Sequence, residues 1–208
     1  MSLLYIYSFI TLSLNLYEIF FYFEDWKKTM IKNKKLIKTT LFHTFITYPI
    51  SLILTDLYCF SDYITRIDNI HIEIIKFLIG INIFDFITFF THLTQHKYFY
   101  KYHKKHHELR VSCIFFAYYL DMIDLFLIIF PFIIIPKILC FSKFGIYLLI
   151  SFNILFGLFA HKMYNINGKT KFSFHNYHHY SSNYNFGSGY PLILVNWDKL
   201  YGTYMETG

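Results

Sequence analysis

The sequence has few of the residues that mark water-soluble or cross-linked folds. Only 15% of its 208 residues are charged, and it holds eight glycines, four prolines and three cysteines. The cysteines are scattered, so they provide neither a disulfide framework, nor a CxxC metal site, nor the ligands of an iron–sulfur cluster. A glycine-rich dinucleotide fingerprint of the GxGxxG type is also missing. These shortages argue against a collagen-like, linker-like or plain water-soluble chain and against thiol chemistry.

Long apolar stretches are what the sequence has in abundance. Hydrophobic residues make up 55% of the chain and aromatic residues 23%. Crossing a ~30 Å hydrocarbon layer takes roughly 20 helical residues, and we expect five stretches to be long and apolar enough. They are residues 3–23, 41–60, 74–90, 111–135 and 144–160. The predicted fold is therefore all-α, a single membrane domain over residues 1–208 with four to five transmembrane helices and a cytoplasmic histidine-rich helical cap.

The first stretch lacks the basic start and the small-residue cleavage site of a signal peptide. We therefore expect it to be retained, either across the membrane or along its interface.

Basic residues fall mostly on one side of this topology. If the stretches alternate across the membrane, 15 of the 19 Lys and Arg residues lie in the connections 24–38 and 96–110 and in the tail from Lys162 onward. Short cytoplasmic loops keep positive charge, so we expect these segments in the cytoplasm and the N-terminus outside. Anionic headgroups next to the apolar stretches then account for the net charge of +6 without a nucleic-acid partner.

Eight of the eleven histidines fall in three groups, all on the basic side. The groups are His92 and His96; His103, His106 and His107; and His175, His178 and His179. Residues three or four apart share a helix face, so each group is expected to present its imidazoles in one direction. Neutral imidazole commonly binds iron, zinc and copper, and eight ligands exceed what one ion takes. The spacing predicts that the groups meet around two metal ions, whereas the isolated His43 and His71 are interpreted as ordinary polar contacts.

The residues around these histidines resemble the fatty acid hydroxylase superfamily of membrane oxygenases, which includes sterol desaturases, C4-methylsterol oxidases and cholesterol 25-hydroxylases. The resemblance covers residues 85–203. The similar motifs are Asp85-Phe-Ile-Thr-Phe-Phe-Thr-His92 with His96, Tyr102-His103-Lys-Lys-His106-His107, His161-Lys-Met-Tyr164-Asn165-Ile, His175-Asn-Tyr-His178-His179, Asn185-Phe186-Gly187 and Trp197-Asp198-Lys-Leu-Tyr-Gly202-Thr203. Leu93 stands where the family often has arginine, and Gly157 where some members have a further histidine.

The resemblance implies two iron ions, with zinc able to substitute in purified protein. It implies nine metal-binding histidines, the eight above together with His161. The eight grouped histidines would then carry an O2-dependent hydroxylation or desaturation of a lipid, such as a sterol, a fatty acyl chain or a sphingoid chain.

Two carboxylates are candidates for an outer layer around the ions. Asp85 lies two turns before His92 on the same helical face, and we expect it either to orient an imidazole or to be a polar packing residue. Asp198, with Trp197, is expected either to fold the C-terminal segment over the site or to form a simple interfacial turn.

The resemblance also implies a separate cytochrome b5 and its NAD(P)H-dependent reductase as electron donors. It implies an integral membrane protein of the endoplasmic reticulum whose active site faces the cytoplasm. A cluster of basic residues is interpreted either as a docking surface for such an acidic partner or as ordinary cytoplasmic loop charge. The cluster consists of Lys101, Lys104, Lys105 and Arg110.

Two other functions stay open at this point. Leu93, Gly157 and the short chain are compatible with a catalytically silent relative that binds lipid. Clustered histidines would also suit a metal transport or storage protein, although transporters generally place their ligands near the middle of the membrane.

Overall fold

The computed structural model describes residues 3–60, 69–109, 113–166, 169–172, 174–190 and 192–206. Within these ranges the chain is almost entirely helical, as the sequence predicts. The α-helices are α1 (Leu3–Phe21), α2 (Phe23–Lys32), α3 (Ile37–Phe42), α4 (Tyr48–Phe60), α5 (Ile70–Tyr98), α6 (Tyr100–His103), α7 (Met122–Ile138), α8 (Lys143–Phe159), α9 (Phe174–Tyr180) and α10 (Trp197–Tyr201).

Shorter elements join these helices. They are 3-10 turns at Lys34–Leu36, His106–Glu108 and Ile114–Tyr118, a π-helical turn at His43–Thr47, and an antiparallel hairpin of β1 (Met163–Ile166) and β2 (Lys169–Phe172). The π-helical turn links α3 directly to α4, so residues 37–60 form one almost continuous helix. The hairpin departs from the all-helical prediction and leads into α9, which carries the last three grouped histidines.

Two helices, α1 and α5, are long and apolar enough to cross a membrane. α7 and α8 are 17 residues each. A straight helix of that length is about 26 Å long, slightly short of a ~30 Å hydrocarbon layer. By length and composition, the part of the chain that the structure describes supports two spans, fewer than the four to five expected.

The fourth apolar stretch, residues 111–135, is not a single helix. Ile114–Tyr118 forms a 3-10 turn, and α7 begins only at Met122. The Asp121 carboxylate accepts a hydrogen bond of 3.1 Å from the backbone N–H of Ile123, as an N-cap residue does. The prediction of one span over this stretch is wrong, because a capping aspartate begins a new helix inside it.

The helices pack around a dry apolar core and leave apolar side chains on their outer faces. Many of the most buried core residues lie on α5, α7 and α8, among them Ile81, Ile135, Ile146, Leu149 and Ile150, each 0% exposed. On the outer face of α1, by contrast, Phe9 is 73% and Phe20 80% exposed. A helix that is apolar on both its inner and its outer face suits a lipid environment rather than water.

Polar contacts at one end of the bundle show how α5 and α8 are oriented. The Glu73 carboxylate, near the start of α5, lies 3.1 Å from Lys76 Nζ and accepts hydrogen bonds of 3.3 and 3.4 Å from the Ser142 N–H. Lys76 Nζ also donates to the Cys140 carbonyl at 2.7 Å. Both α5 and α8 therefore start at this end and finish at the other. His161 directly follows α8, so the histidine-bearing segments meet at that far end.

Candidate metal centre

Nine histidine side chains converge at the far end of the bundle in two groups. Within each group the candidate ligand nitrogens all lie within 4.8 Å of one another. The first histidine group is His92, His96, His103, His107 and His178, and the second histidine group is His106, His161, His175 and His179. These are the nine residues that the sequence predicts. Of the two isolated histidines, His43 is buried and His71 exposed, and neither belongs to a group.

Each group draws its members from different parts of the chain. His92 and His96 are one turn apart on α5 and both join the first group, as expected. The expectation that the imidazoles of each sequence motif point in one direction is wrong for the motifs of residues 103–107 and 175–179. His106 and His107 are successive residues of the 3-10 turn His106–Glu108, in which neighbouring side chains point about 120° apart. One therefore joins each group, and His178 likewise separates from His179.

The first histidine group has the spacing of ligands around one ion. The Nε2 atoms of His96, His107 and His178 form a triangle with sides of 3.0, 3.1 and 3.2 Å. His103 Nε2 lies 3.0 Å from that of His107 and 3.1 Å from that of His92. A metal–nitrogen bond of about 2.1 Å separates adjacent octahedral ligands by about 3.0 Å and tetrahedral ones by about 3.4 Å. The observed distances match the octahedral value.

The second histidine group is similar but has one ligand fewer. His106 Nε2 lies 3.1 Å from His175 Nε2 and 3.5 Å from His161 Nε2. Both ring nitrogens of His179 are buried without a hydrogen-bond partner among the described residues. An unpartnered buried imidazole is costly, and an ion among these four side chains would remove that cost.

Backbone carbonyls fix which nitrogen of several imidazoles carries the proton. The Nδ1 contacts are His92 with the Phe186 carbonyl (2.8 Å), His178 with Tyr184 (2.6 Å), His161 with Gly157 (3.0 Å) and His106 with Tyr119 (3.4 Å). A carbonyl only accepts, so each Nδ1 donates and each Nε2 turns a lone pair inward. His106 and His161 thus face each other with two lone pairs, and a cation between them satisfies both. The residues present therefore fit bound metal.

The charge state of the imidazoles also suits metal binding. Burial lowers the pKa of His106, His175 and His179 well below the ordinary histidine value, and neighbouring imidazoles lower it further. These side chains are therefore neutral near pH 7. Neutral imidazole is the form that binds metal, so no proton has to be displaced there.

A carboxylate inside the fourth apolar stretch supports the first histidine group. Asp124, near the start of α7, places Oδ2 3.3 Å from His103 Nδ1, and its Oδ1 accepts a 2.6 Å hydrogen bond from Gln95 Nε2. A carboxylate beside the outer nitrogen of an imidazole is a common feature of metal sites. The available signal was an aspartate inside an apolar stretch, where a charge is expensive.

Asp85 and Asp198 act on the site through one turn of the backbone. Asp198 accepts hydrogen bonds of 2.8 Å from both the Phe186 and the Gly187 N–H groups. Asp85 accepts from the N–H of Ser188 at 3.0 Å and from its hydroxyl. The structure thus places both carboxylates against the backbone of this turn. Because the Phe186 carbonyl holds His92, each carboxylate supports an imidazole indirectly.

The position of Trp197 shows how the C-terminal segment packs. Its ring packs against Phe86 and Phe90 of α5, with centroid distances of 5.1 and 6.0 Å. The C-terminal segment is therefore folded back along α5, beside the histidines.

An apolar cavity of about 170 Å³ reaches both histidine groups. His92 and His103 of the first group and His106, His161 and His175 of the second form part of its wall. Much of the remaining wall is apolar and includes Phe84, Leu127, Phe132, Ile154, Leu158 and Tyr190. Such a cavity suits a hydrocarbon chain or ring held against the metal positions.

Gly157 also lines this cavity, at the position where some family members have a histidine. A Cβ added to it would meet no atom within 4 Å. The absent side chain therefore leaves open space next to the second histidine group, which keeps four members.

Fold and site together define a helical protein with two apolar helices long enough to cross a membrane and with two histidine groups that could hold metal ions. A sequence model described as Fatty acid hydroxylase matches residues 77–203, more than half of the chain, and the chain belongs to that family, within the sterol desaturase/hydroxylase superfamily. The resemblance over residues 85–203 is thereby confirmed. Comparison with curated proteins and with solved structures gave no match.

Proposed function

We propose that this protein is an iron-dependent membrane oxygenase that uses O2 to hydroxylate or desaturate a lipid. The observation that carries the proposal is the pair of histidine groups, with five and four members, lining one apolar cavity. Membership of the fatty acid hydroxylase family supports a lipid oxidoreductase. The iron, its count of two and the reaction type are parts of the proposal.

We propose separate roles for the metal ions, the backbone carbonyls and the apolar cavity wall. Two iron ions, when bound, would supply the activation of O2 at the histidine groups. The carbonyls of Phe186 and Tyr184 keep their histidine partners in the tautomer that offers Nε2. The apolar walls contributed by Phe84 and Phe132 would exclude water and hold the reacting carbon nearby.

The proposed substrate is a membrane lipid with a long apolar part, such as a sterol, a fatty acyl chain or a sphingoid chain. The cavity supports this proposal because it lies between α5, α7 and α8, whose outer faces are also apolar. A lipid with its reacting carbon in the cavity would keep the rest of its hydrocarbon out of water.

The proposed location is the endoplasmic reticulum membrane, with the histidines toward the cytoplasm. Four to five helices would then cross or nearly cross the bilayer. The 17-residue α7 and α8 can do so with slight local thinning of the membrane. The orientation rests on positive charge, since 15 of 19 basic residues lie in segments on the histidine side of the predicted topology.

Electrons are proposed to come from cytochrome b5 and its NAD(P)H-dependent reductase. Lys101 and Lys104 are exposed and lie next to the buried His103 of the first histidine group in the sequence. An acidic partner would be attracted to such exposed basic residues. Arg110, the fourth residue of the predicted basic cluster, lies outside the described residues.

A lipid profile tests the proposed function. The chain is expressed in a sterol-auxotrophic yeast, and lipids are compared by mass spectrometry between the wild type, His178→Ala and the matched control His71→Ala. We expect products that gain one oxygen or lose two hydrogens in the wild type and in His71→Ala but not in His178→Ala. Identical profiles in all three strains, despite good expression and bound iron, would contradict the proposal and favour a silent lipid-binding relative.

A further inference from the structure

The segment of residues 186–195 runs along α5 from the histidine end toward the middle of the helix and then returns. Phe186 contacts His92, Ser188 contacts Asp85, and the following part reaches Asn82, three turns before His92. The chain then returns, since Tyr201 packs against Phe89 and Phe90. Residue 191 lies outside the described residues.

The length of α5 indicates that the part of this segment next to Asn82 and Asp85 lies at membrane depth. α5 has 29 residues and is about 43 Å long. A hydrocarbon layer of ~30 Å covers about 20 of them, and every such window between residues 70 and 98 contains residues 79–89. If α5 crosses the bilayer, Asn82 and Asp85 are therefore inside the hydrocarbon layer at every position of α5 along its own axis.

At that depth side chains of α5 satisfy part of the backbone of the segment. Asn82 Oδ1 accepts a 2.7 Å hydrogen bond from the Leu194 N–H, and its Nδ2 donates to the Leu192 carbonyl at 3.3 Å. The Asp85 carboxylate accepts a hydrogen bond of 3.0 Å from the Ser188 N–H. Non-helical backbone in a membrane requires such partners. This requirement explains two polar residues in the middle of an otherwise apolar helix.

The outward side chains of the segment are strongly apolar. Leu194 is 87% and Leu192 56% exposed. They continue an apolar surface of α5 that includes Ile79 and Phe86, which are 45% and 43% exposed. Leucines this exposed at the tip of a loop are unfavourable in water and favourable among acyl chains.

We propose that residues 186–195 form a re-entrant membrane segment whose Leu192 and Leu194 side chains pack on lipid acyl chains. On the inner side of the same segment, Tyr190 lines the cavity and packs between Phe84 of α5 and Phe152 of α8. The segment thus forms part of the wall between the cavity and the bilayer. The proposal rests on the membrane location proposed above and not on the reaction.

Spin labels in lipid vesicles test this assignment. The background replaces Cys59 and Cys140 with serine and keeps the fully buried Cys113. Single labels are placed by Leu194→Cys, with Leu192→Cys as a second reporter, Phe9→Cys as the lipid control and Lys35→Cys as the water control. We expect labels at 194 and 192 to be relaxed by O2 and shielded from a water-soluble nickel complex, like the label at 9 and unlike the label at 35.

The outcomes separate the proposals. A label at 194 as accessible to nickel as the label at 35 would place the segment in water and overturn the re-entrant assignment. Shielding from both reagents would mean that protein, not lipid, covers the leucines, which also overturns it. If the label at 9 is itself exposed to nickel, the membrane location fails as well. Asn82→Leu should increase the mobility of the label at 194, because this part of the segment loses its two hydrogen bonds to the Asn82 side chain.

Discussion

Asp198 is the residue whose replacement most sharply separates the two histidine groups. It is 2% exposed and accepts hydrogen bonds from the N–H groups of Phe186 and Gly187, at 2.8 Å each, and from Thr203 Oγ1 at 2.7 Å. The Phe186 carbonyl in turn accepts from His92 Nδ1 at 2.8 Å. A change at Asp198 therefore reaches the first histidine group through the backbone and leaves the second untouched.

The substitution Asp198→Asn has a magnitude that the contacts allow us to work out. An amide replaces one accepting oxygen with a donor, so one of the two buried N–H groups of the turn loses its partner. Leaving such a group unpaired costs about 1–3 kcal/mol. Loss of an outer partner of a metal-bound histidine typically lowers metal affinity about 10- to 100-fold. We expect a loss in that range for one ion only.

Chelator competition with metal analysis by mass spectrometry measures this effect. One ion should leave Asp198→Asn at a chelator concentration about 10- to 100-fold lower than in the wild type, and the second should leave at an unchanged concentration. The matched control is Asp121→Asn, because asparagine caps a helix as well as aspartate does. Release of both ions together, or wild-type release from Asp198→Asn, would refute the route through Phe186.

Three further predictions follow from the same geometry. His178→Ala should weaken metal binding in the first histidine group and His179→Ala in the second. Each purified variant should therefore keep about half of the wild-type metal, measured by plasma mass spectrometry. Equal loss of both ions in either variant would contradict two separate groups. Gly157→Leu should abolish lipid oxidation with metal content unchanged, because its side chain would grow into the open cavity beside the second group; unchanged product yield would exclude this cavity as the substrate position. Burial lowers the pKa of His106 in the folded state, so protonation favours the unfolded, metal-free chain. Metal retention after dialysis should therefore be complete above the ordinary histidine pKa of about 6.5 and should fall progressively below it. Retention that is independent of pH would argue against imidazole ligands.

The membership of the metal centre is predictable from the sequence, but the partition into two groups is not. Spacing and resemblance single out all nine histidines that converge. Whether His106 or His107 belongs with His96 depends on the turn after α6, because a one-residue change in helical phase rotates a side chain by about 100°. Sequence spacing alone does not fix that phase across a turn, so the assumption of a common direction fails there.

The boundaries of helices and the outer contacts of the site cannot be read from the sequence for a related reason. Asp121 and Asp124 look alike in the sequence, yet one caps α7 and the other lies beside His103. Apolar composition marked residues 111–135 as membrane-compatible, and only the capping hydrogen bond shows where the helix begins. The sequence gives no signal for the role of Asn82, because its partners Leu192 and Leu194 lie more than a hundred positions away.

The turn from Phe186 to Ser188 makes the shape of the cavity and the geometry of the first histidine group interdependent. Its three residues line the cavity, and the same three receive the carboxylates of Asp85 and Asp198. A Cβ at Gly187 would lie 2.9 Å from Asp198 Oδ2, so the close approach of carboxylate and backbone needs a glycine there. A lipid that pressed on this wall would move the carbonyl that holds His92. Asp85 on α5 and Asp198 on α10 hold the turn from two sides, and these hydrogen bonds resist such a movement.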